Sequence, residues 1–188
     1  RYATMVGQVP SFLINGYCLK KYKKDMSPDG FSDPSCSKGV NKIRIDKGVR
    51  YMFAKPKENW FIIYPDNLNK ISKNLIWIVL VHEMAHVSLD SLIRYLGTSN
   101  YETLKIKNED ILRKWNALAI KDEYTHITNY AGTNTGEDLA ETAVAWVALR
   151  CMEKTSKKHR KKILEGIPNR IKLLDSLKLN TEPMKCGF

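Results

Sequence analysis

Nowhere does the sequence hold an apolar run long enough to cross a bilayer as a helix. The longest, LIWIVLV at 75–81, falls far short of the ~20 residues that a membrane helix needs. A soluble protein is therefore expected. Acidic residues are scarce beside basic ones: 20 Asp and Glu against 31 Lys and Arg leave a formal net charge of +11. Much of that excess sits in KTSKKHRKK, 154–162. Such a run reads either as a solvated helix face or as an attraction for nucleic acid, an anionic surface or an acidic partner. Cysteine is limited to Cys18, Cys36, Cys151 and Cys186, with no CxxC pair, which argues against a cysteine-built structural zinc site. There are only four histidines, so the placing of any two together is informative. Internal repeats, low-complexity tracts and linker-like segments are all lacking.

What is present fits one globular domain. A chain of 188 residues, 43% hydrophobic and 27% charged, is long enough for a full core. We expect a single domain over 1–188, with a loop-rich lobe at 1–48, marked by MSPDGFSDPSCSKG, ahead of a core at 49–188. VRYMFA (49–54) and NWFIIYP (59–65) are aromatic and β-branched, and KPKE between them reads as a turn, so the two form a hairpin. A long helix is expected from Pro65 to Gly97, a second over 108–120, and two more through 137–154 and 169–179. The even cysteine count favours two disulfides, Cys18–Cys36 with Cys151–Cys186 being the most local of three connectivities. With no initiator methionine at Arg1, the expectation is a secreted protein whose signal peptide has been removed.

The informative histidines lie in HEMAH, 82–86, inside the long helix. His82 and His86 are one helical turn apart, so both imidazoles project from one face and can share one metal ion. Zinc suits two neutral imidazoles plus a carboxylate, and it lowers the pKa of a bound water to about 7. Glu83 stands beside the open position, where it can take that water's proton. A third ligand is required. The extended motif HExxHxxGxxH is broken by Leu89 and Leu92. Of the remaining histidines, His159 sits among lysines and His126 in a loop. A carboxylate on a following helix is the stronger choice: GEDLAE offers Glu137 and, one turn later on the same face, Glu141. One such carboxylate can bind the metal while the other holds a metal-binding histidine by its free N–H. Asp138 points about 100° away around the helix.

HEMAH followed by NYAGTNTGEDLAE at 129–141 resembles the gluzincin metallopeptidases, particularly the catalytic domain of anthrax lethal factor and the Pro-Pro endopeptidases. Tyr130, Thr133, Asn134, Glu137, Ala140 and Glu141 match that group's Y-x-x-T-N-x-x-E-x-x-A-E pattern, whereas Asp138 stands where a usually aromatic residue is found. The resemblance covers roughly 59–152. It implies an α+β, zincin-like fold with a small mixed sheet, an active-site helix and a mainly helical C-terminal half. It implies one Zn2+ on His82, His86 and Glu137, with Glu83 as general base and Glu141 behind the ligands. Tyr130 would donate to the oxyanion, a role that the residues alone do not assign to it over Tyr124 or His126. WFIIY, 60–64, would line the cleft as the strand to which an extended substrate adds.

The function expected is a secreted zinc endopeptidase, monomeric, with a protein or peptide substrate and no nucleic-acid partner. The alternative is a basic module that binds nucleic acid or an anionic surface, its metal site structural or silent. Against this, a structural zinc has no use for Glu83, and no aromatic residues interleave the basic run. An intracellular DNA-associated protease would favour histidine or cysteine as third ligand, and four apparently paired cysteines argue against it.

Overall fold

The computed structural model describes residues 2–15, 39–40, 42–55, 59–89, 115 and 117–187. Three strands form a mixed sheet in the order β1-β3-β2: β1 (Lys42–Ile45), β2 (Met52–Lys55) and β3 (Trp60–Ile63). The expected hairpin is the antiparallel pair β2–β3, with Met52 opposite Ile63 and Ala54 opposite Phe61. These four buried residues share one face, because directly opposed residues project to the same side. β1 runs parallel to β3 and belongs to the segment read as loop-rich. Its four residues, Lys42, Ile43, Arg44 and Ile45, do alternate polar and apolar, but the run is short, follows a segment rich in Gly, Pro, Ser and Asp, and is exposed on both faces. The two edges of β3 are occupied by β1 and β2. It therefore cannot accept a substrate strand, and among the described residues the open edges are those of β1 and β2.

Elsewhere in the N-terminal segment, α1 (Tyr2–Val6) and α2 (Ser11–Asn15) are single helical turns. α2 contributes Phe12 and Leu13 to the core. The long helix expected from Pro65 is in fact two elements, α3 (Pro65–Leu68) and α4 (Lys73–Ser88). The break lies at Ser72, whose extended backbone and side chain, accepting from Leu75 N at 3.2 Å, start α4 afresh. α4 ends with Leu89 as its last described residue, and the remainder of the expected helix, to Gly97, lies outside the described residues. Of the helix expected over 108–120, Trp115 and residues 117–121 are described and are helical.

The C-terminal half holds α5 (Thr135–Cys151), α6 (Lys157–Gly166) and α7 (Pro168–Ser176). α6 carries the basic run and is capped by Ser156. Only Ile163 of it is buried, so most of its cations face water. α4 is packed on several sides, against β2, α2 and α5, which is why its second half is buried almost throughout and shows no polar face. Trp146 on α5 meets Phe12 edge to face at 6.0 Å, and its Nε1 donates to Asp175 Oδ1 at 2.8 Å. Ser88 donates to the Leu13 carbonyl, joining α4 to α2. Cys151 is bonded to Cys186, as the local connectivity proposed; Cys18 and Cys36 lie outside the described residues. The result is an α+β protein with a small mixed sheet and mostly helical content, and among the described residues no helix is long and apolar enough to cross a membrane.

Candidate metal centre

Two helices bring the ligand atoms together. On α4, His82 and His86 are both buried, one turn apart and facing α5. The start of α5 is set by the TN pair that precedes it. Thr133 Oγ1 donates to the Tyr130 carbonyl at 2.8 Å, closing the short 3-10 turn Ala131–Thr133. Asn134 then caps α5, its side chain accepting from Gly136 N at 2.9 Å and Glu137 N at 3.1 Å. Glu137 thus enters the first turn with its carboxylate over α4.

The Nε2 atoms of His82 and His86 are 3.1 Å apart, and Glu137 Oε2 is 3.0 Å from each. Among the described residues this is the group that could hold a metal ion. An ion with ligands at about 2.0–2.1 Å in tetrahedral directions spaces them about 3.3 Å apart, close to the edges of this triangle. The donor chemistry agrees. His82 Nδ1 is 2.8 Å from Glu141 Oε1, so a neutral His82 donating there turns its Nε2 lone pair into the triangle. The lone pairs of three groups then converge, an arrangement that a proton or a cation must relieve. Glu141 is itself held by Thr128 Oγ1 at 2.8 Å.

Glu83 points elsewhere. Its Oε2 accepts from Ala54 N at 2.6 Å. Tyr64 N donates to the Tyr51 carbonyl, so Tyr51, Phe53 and Lys55 turn their N–H groups toward β3. Ala54 N–H therefore lies on the open edge of β2, and Glu83 spans the gap between that edge and α4. Tyr130 is 55% exposed, with its ring 5.8 Å from that of His82. It stands at the mouth of the site.

Electrostatics separates the carboxylates. Burial raises Glu83, although the neighbouring histidines and the Ala54 N–H work against the rise. Burial pushes Glu137 upward too, but its hydrogen bonds to His82 and His86 outweigh this and hold it below the ordinary carboxylate range. Glu141 is likewise lowered, by His82 and Thr128, against its burial. His82 is lowered by burial, yet the Glu137 and Glu141 hydrogen bonds win and raise it to about 9. Tyr130 is raised by burial, then by the charge and hydrogen bond of Glu137 and by Glu83, with Arg50 opposing.

All six residues singled out in the sequence, His82, Glu83, His86, Tyr130, Glu137 and Glu141, converge here. His126 and His159 do not: His126 Nδ1 meets Asp138 at 3.3 Å, and His159 Nδ1 meets Ser156 Oγ at 2.9 Å on α6. Asp138 faces away from the ligands, as the helical angle required, and joins a buried network. It accepts from Trp115 Nε1 at 2.8 Å and pairs with Arg170, which also binds Asp122 at 3.0 Å and the Thr125 carbonyl. Arg170 and Asp122 expose nothing of their side chains. This network anchors the loop leading to Tyr130, and sequence reasoning missed it, as it missed Ala54 and Thr128. Only Asp138 itself, out of place in the pattern, hinted at it. No protein-family model, curated protein or solved structure matches the chain.

Proposed function

We propose that the protein is a secreted, zinc-dependent endopeptidase of the gluzincin type, with a zincin-like arrangement of helix and sheet edge. One observation carries the reading: beside the His82, His86 and Glu137 triangle stands a fourth polar group, Glu83, which is tied to a strand edge and not to the ligands. A purely structural metal site has no role for such a carboxylate. The resemblance of HEMAH and YAGTNTGEDLAE to the gluzincins supports the same reading, and the Cys151–Cys186 bridge is compatible with an oxidising compartment.

Zinc held by His82, His86 and Glu137 supplies Lewis acidity toward a water and toward the scissile carbonyl. Each remaining task falls to a group of the chain. Glu83, raised by burial, accepts the proton of the attacking water and returns it to the leaving amine. Ala54 N–H keeps its carboxylate turned toward the open edge of β2, where an extended peptide adds as a further strand. Tyr130 O–H donates to the oxyanion. Glu141 fixes the His82 ring through Nδ1, so that Nε2 stays directed at the ion.

The test is elemental analysis together with digestion of a peptide library by wild-type protein and Glu83→Gln. One zinc per chain in both proteins, with cleavage by the wild type alone, is the expected result. Equal cleavage by the two would remove Glu83 from its role, and cleavage by neither would end the peptidase reading.

A further inference from the structure

The carboxylates of the site are all engaged by neighbours: Glu83 with Ala54, Glu137 with both histidines, and Glu141 with His82 and Thr128. These carboxylates are thus committed to groups of the chain, and the mouth of the site has other charge to offer an incoming ligand. On the β2 side it carries a cation of a particular kind. Arg50 is exposed, and its guanidinium carbon lies 4.7 Å from the centre of the Phe53 ring, one residue from the Ala54 that holds Glu83. Its backbone is fastened as well. Asn67 Nδ2 donates to the Arg50 carbonyl at 3.1 Å and to the Gly48 carbonyl at 2.5 Å. Among the described residues no acid pairs with Arg50, whereas Arg44 on β1 is paired with Asp46 at 2.9 Å. The phenol of Tyr130 also feels the charge of Arg50.

A guanidinium stacked on an aromatic ring keeps its planar fork free for a carboxylate, and its restricted motion lowers the entropy lost on binding. The excess of 31 basic over 20 acidic residues adds a long-range attraction of the same sign. We infer that the site selects acidic polypeptide, with Arg50 receiving a carboxylate side chain of the segment laid along the open edge of β2. The inference rests on the peptidase reading for its cleavage step, but binding tests it separately.

Three peptides of one length, bearing glutamate, glutamine or lysine at the positions flanking a common cleavable centre, are the probes. Their affinities for Glu83→Gln protein, which cannot turn them over, are measured by fluorescence anisotropy at low and high salt. The glutamate peptide should bind about fivefold more tightly than the glutamine peptide at low salt, with the gap narrowing at high salt. Adding Arg50→Gln should collapse the ratio and Arg50→Glu should invert it toward lysine, while Arg44→Gln, which removes an equal charge from the sheet, should leave the ratio intact. Cleavage by the Glu83-intact protein should follow the same order. No charge preference, or a preference lost equally in the Arg44 variant, would overturn the assignment. A single-stranded oligonucleotide that displaces the glutamate peptide and binds more tightly through Arg50 would overturn it too. Arg50-dependent acidic binding without cleavage would keep this inference and remove the peptidase reading; cleavage indifferent to charge would do the reverse.

Discussion

Glu137 and Glu141 are one helical turn apart, yet they do different work, and mutation should separate them. Glu137 supplies an atom of the triangle, so Glu137→Ala should abolish stoichiometric metal retention. Glu141 meets the triangle only through the far nitrogen of His82, its other oxygen accepting from Thr128, and Glu141→Ala should weaken metal binding by about 10–100-fold; competition with a chelator of known affinity measures both. Retention of full affinity by Glu137→Ala would require another third ligand. The same residues give the metal-free protein an unusual pH response. His82 is raised from 6.5 to about 9, so its contribution to stability is complete below about pH 6.5 and is lost as pH climbs toward 9. Glu137, lowered from 4.5, contributes above about pH 4.5 and loses that contribution under acid. Glu83, raised by burial, adds to the fall in stability as pH rises past its ordinary range. Metal binding instead requires deprotonated ligands and strengthens over the same interval. Melting temperatures from pH 6.5 to 9 should therefore fall in the chelated protein and rise, or hold level, in the zinc-loaded one. Parallel trends would contradict the ligand assignment. The candidate ligand group was legible in the sequence because one helical turn defines a face: HEMAH and ExxxE each have only one way to aim. Thr128 and Ala54 were not, since the first acts through a loop whose path no periodicity encodes, and the second through a backbone N–H that any residue except proline possesses.

Capping decides where the two helices of the candidate metal centre begin. Asn134→Ala would leave the first N–H groups of α5 without their acceptor, at a cost of about 1 kcal/mol, and would loosen the turn that delivers Glu137. A fall in melting temperature of about 2–4 °C, larger for the zinc-loaded than for the chelated protein, is the expected outcome of calorimetry; an equal fall in both would place the cap's effect on the fold alone. The elements read best from sequence were those with a strong period or a clear boundary, such as the β2–β3 hairpin and α5 after its TN pair. Reading one helix from Pro65 failed because helical spacing on either side of Ser72 looks continuous, and only the serine's extended backbone interrupts it. β1 was missed although Lys42-Ile43-Arg44-Ile45 alternates polar and apolar, since so short a run beside a Gly-, Pro- and Ser-rich stretch was read with the loop. With it went the order of the sheet: WFII looked like the strand at the cleft because it is the most apolar, but that burial reflects a central position, and the strand beside Glu83 is β2.

Across the whole molecule, the Cys151–Cys186 bridge closes a loop with a sequence separation of 35, which in the chain-entropy model is worth about 4 kcal/mol. Replacing both cysteines with alanine should lower the melting temperature by about 10 °C. Wild-type protein melted under reductant, which opens every bridge, should lose at least as much, and an unchanged melting temperature in the double variant would show the bridge to be dispensable. Its influence reaches α4 by way of the tail. Asn180 and Glu182 accept backbone hydrogen bonds from Phe12 and Ser11 at 2.9 and 2.7 Å, and α2 in turn receives the Ser88 hydroxyl of α4. The chain is thus shut into a ring, by amides at one join and by sulfur at the other. His82, His86 and Glu137 all precede residue 180, so a ribosome delivers the whole candidate ligand set before either join can be made. If the protein is the peptidase proposed above, the Cys151–Cys186 bridge closes over a site already complete, and the surroundings that oxidise it set the moment at which that site is locked in place.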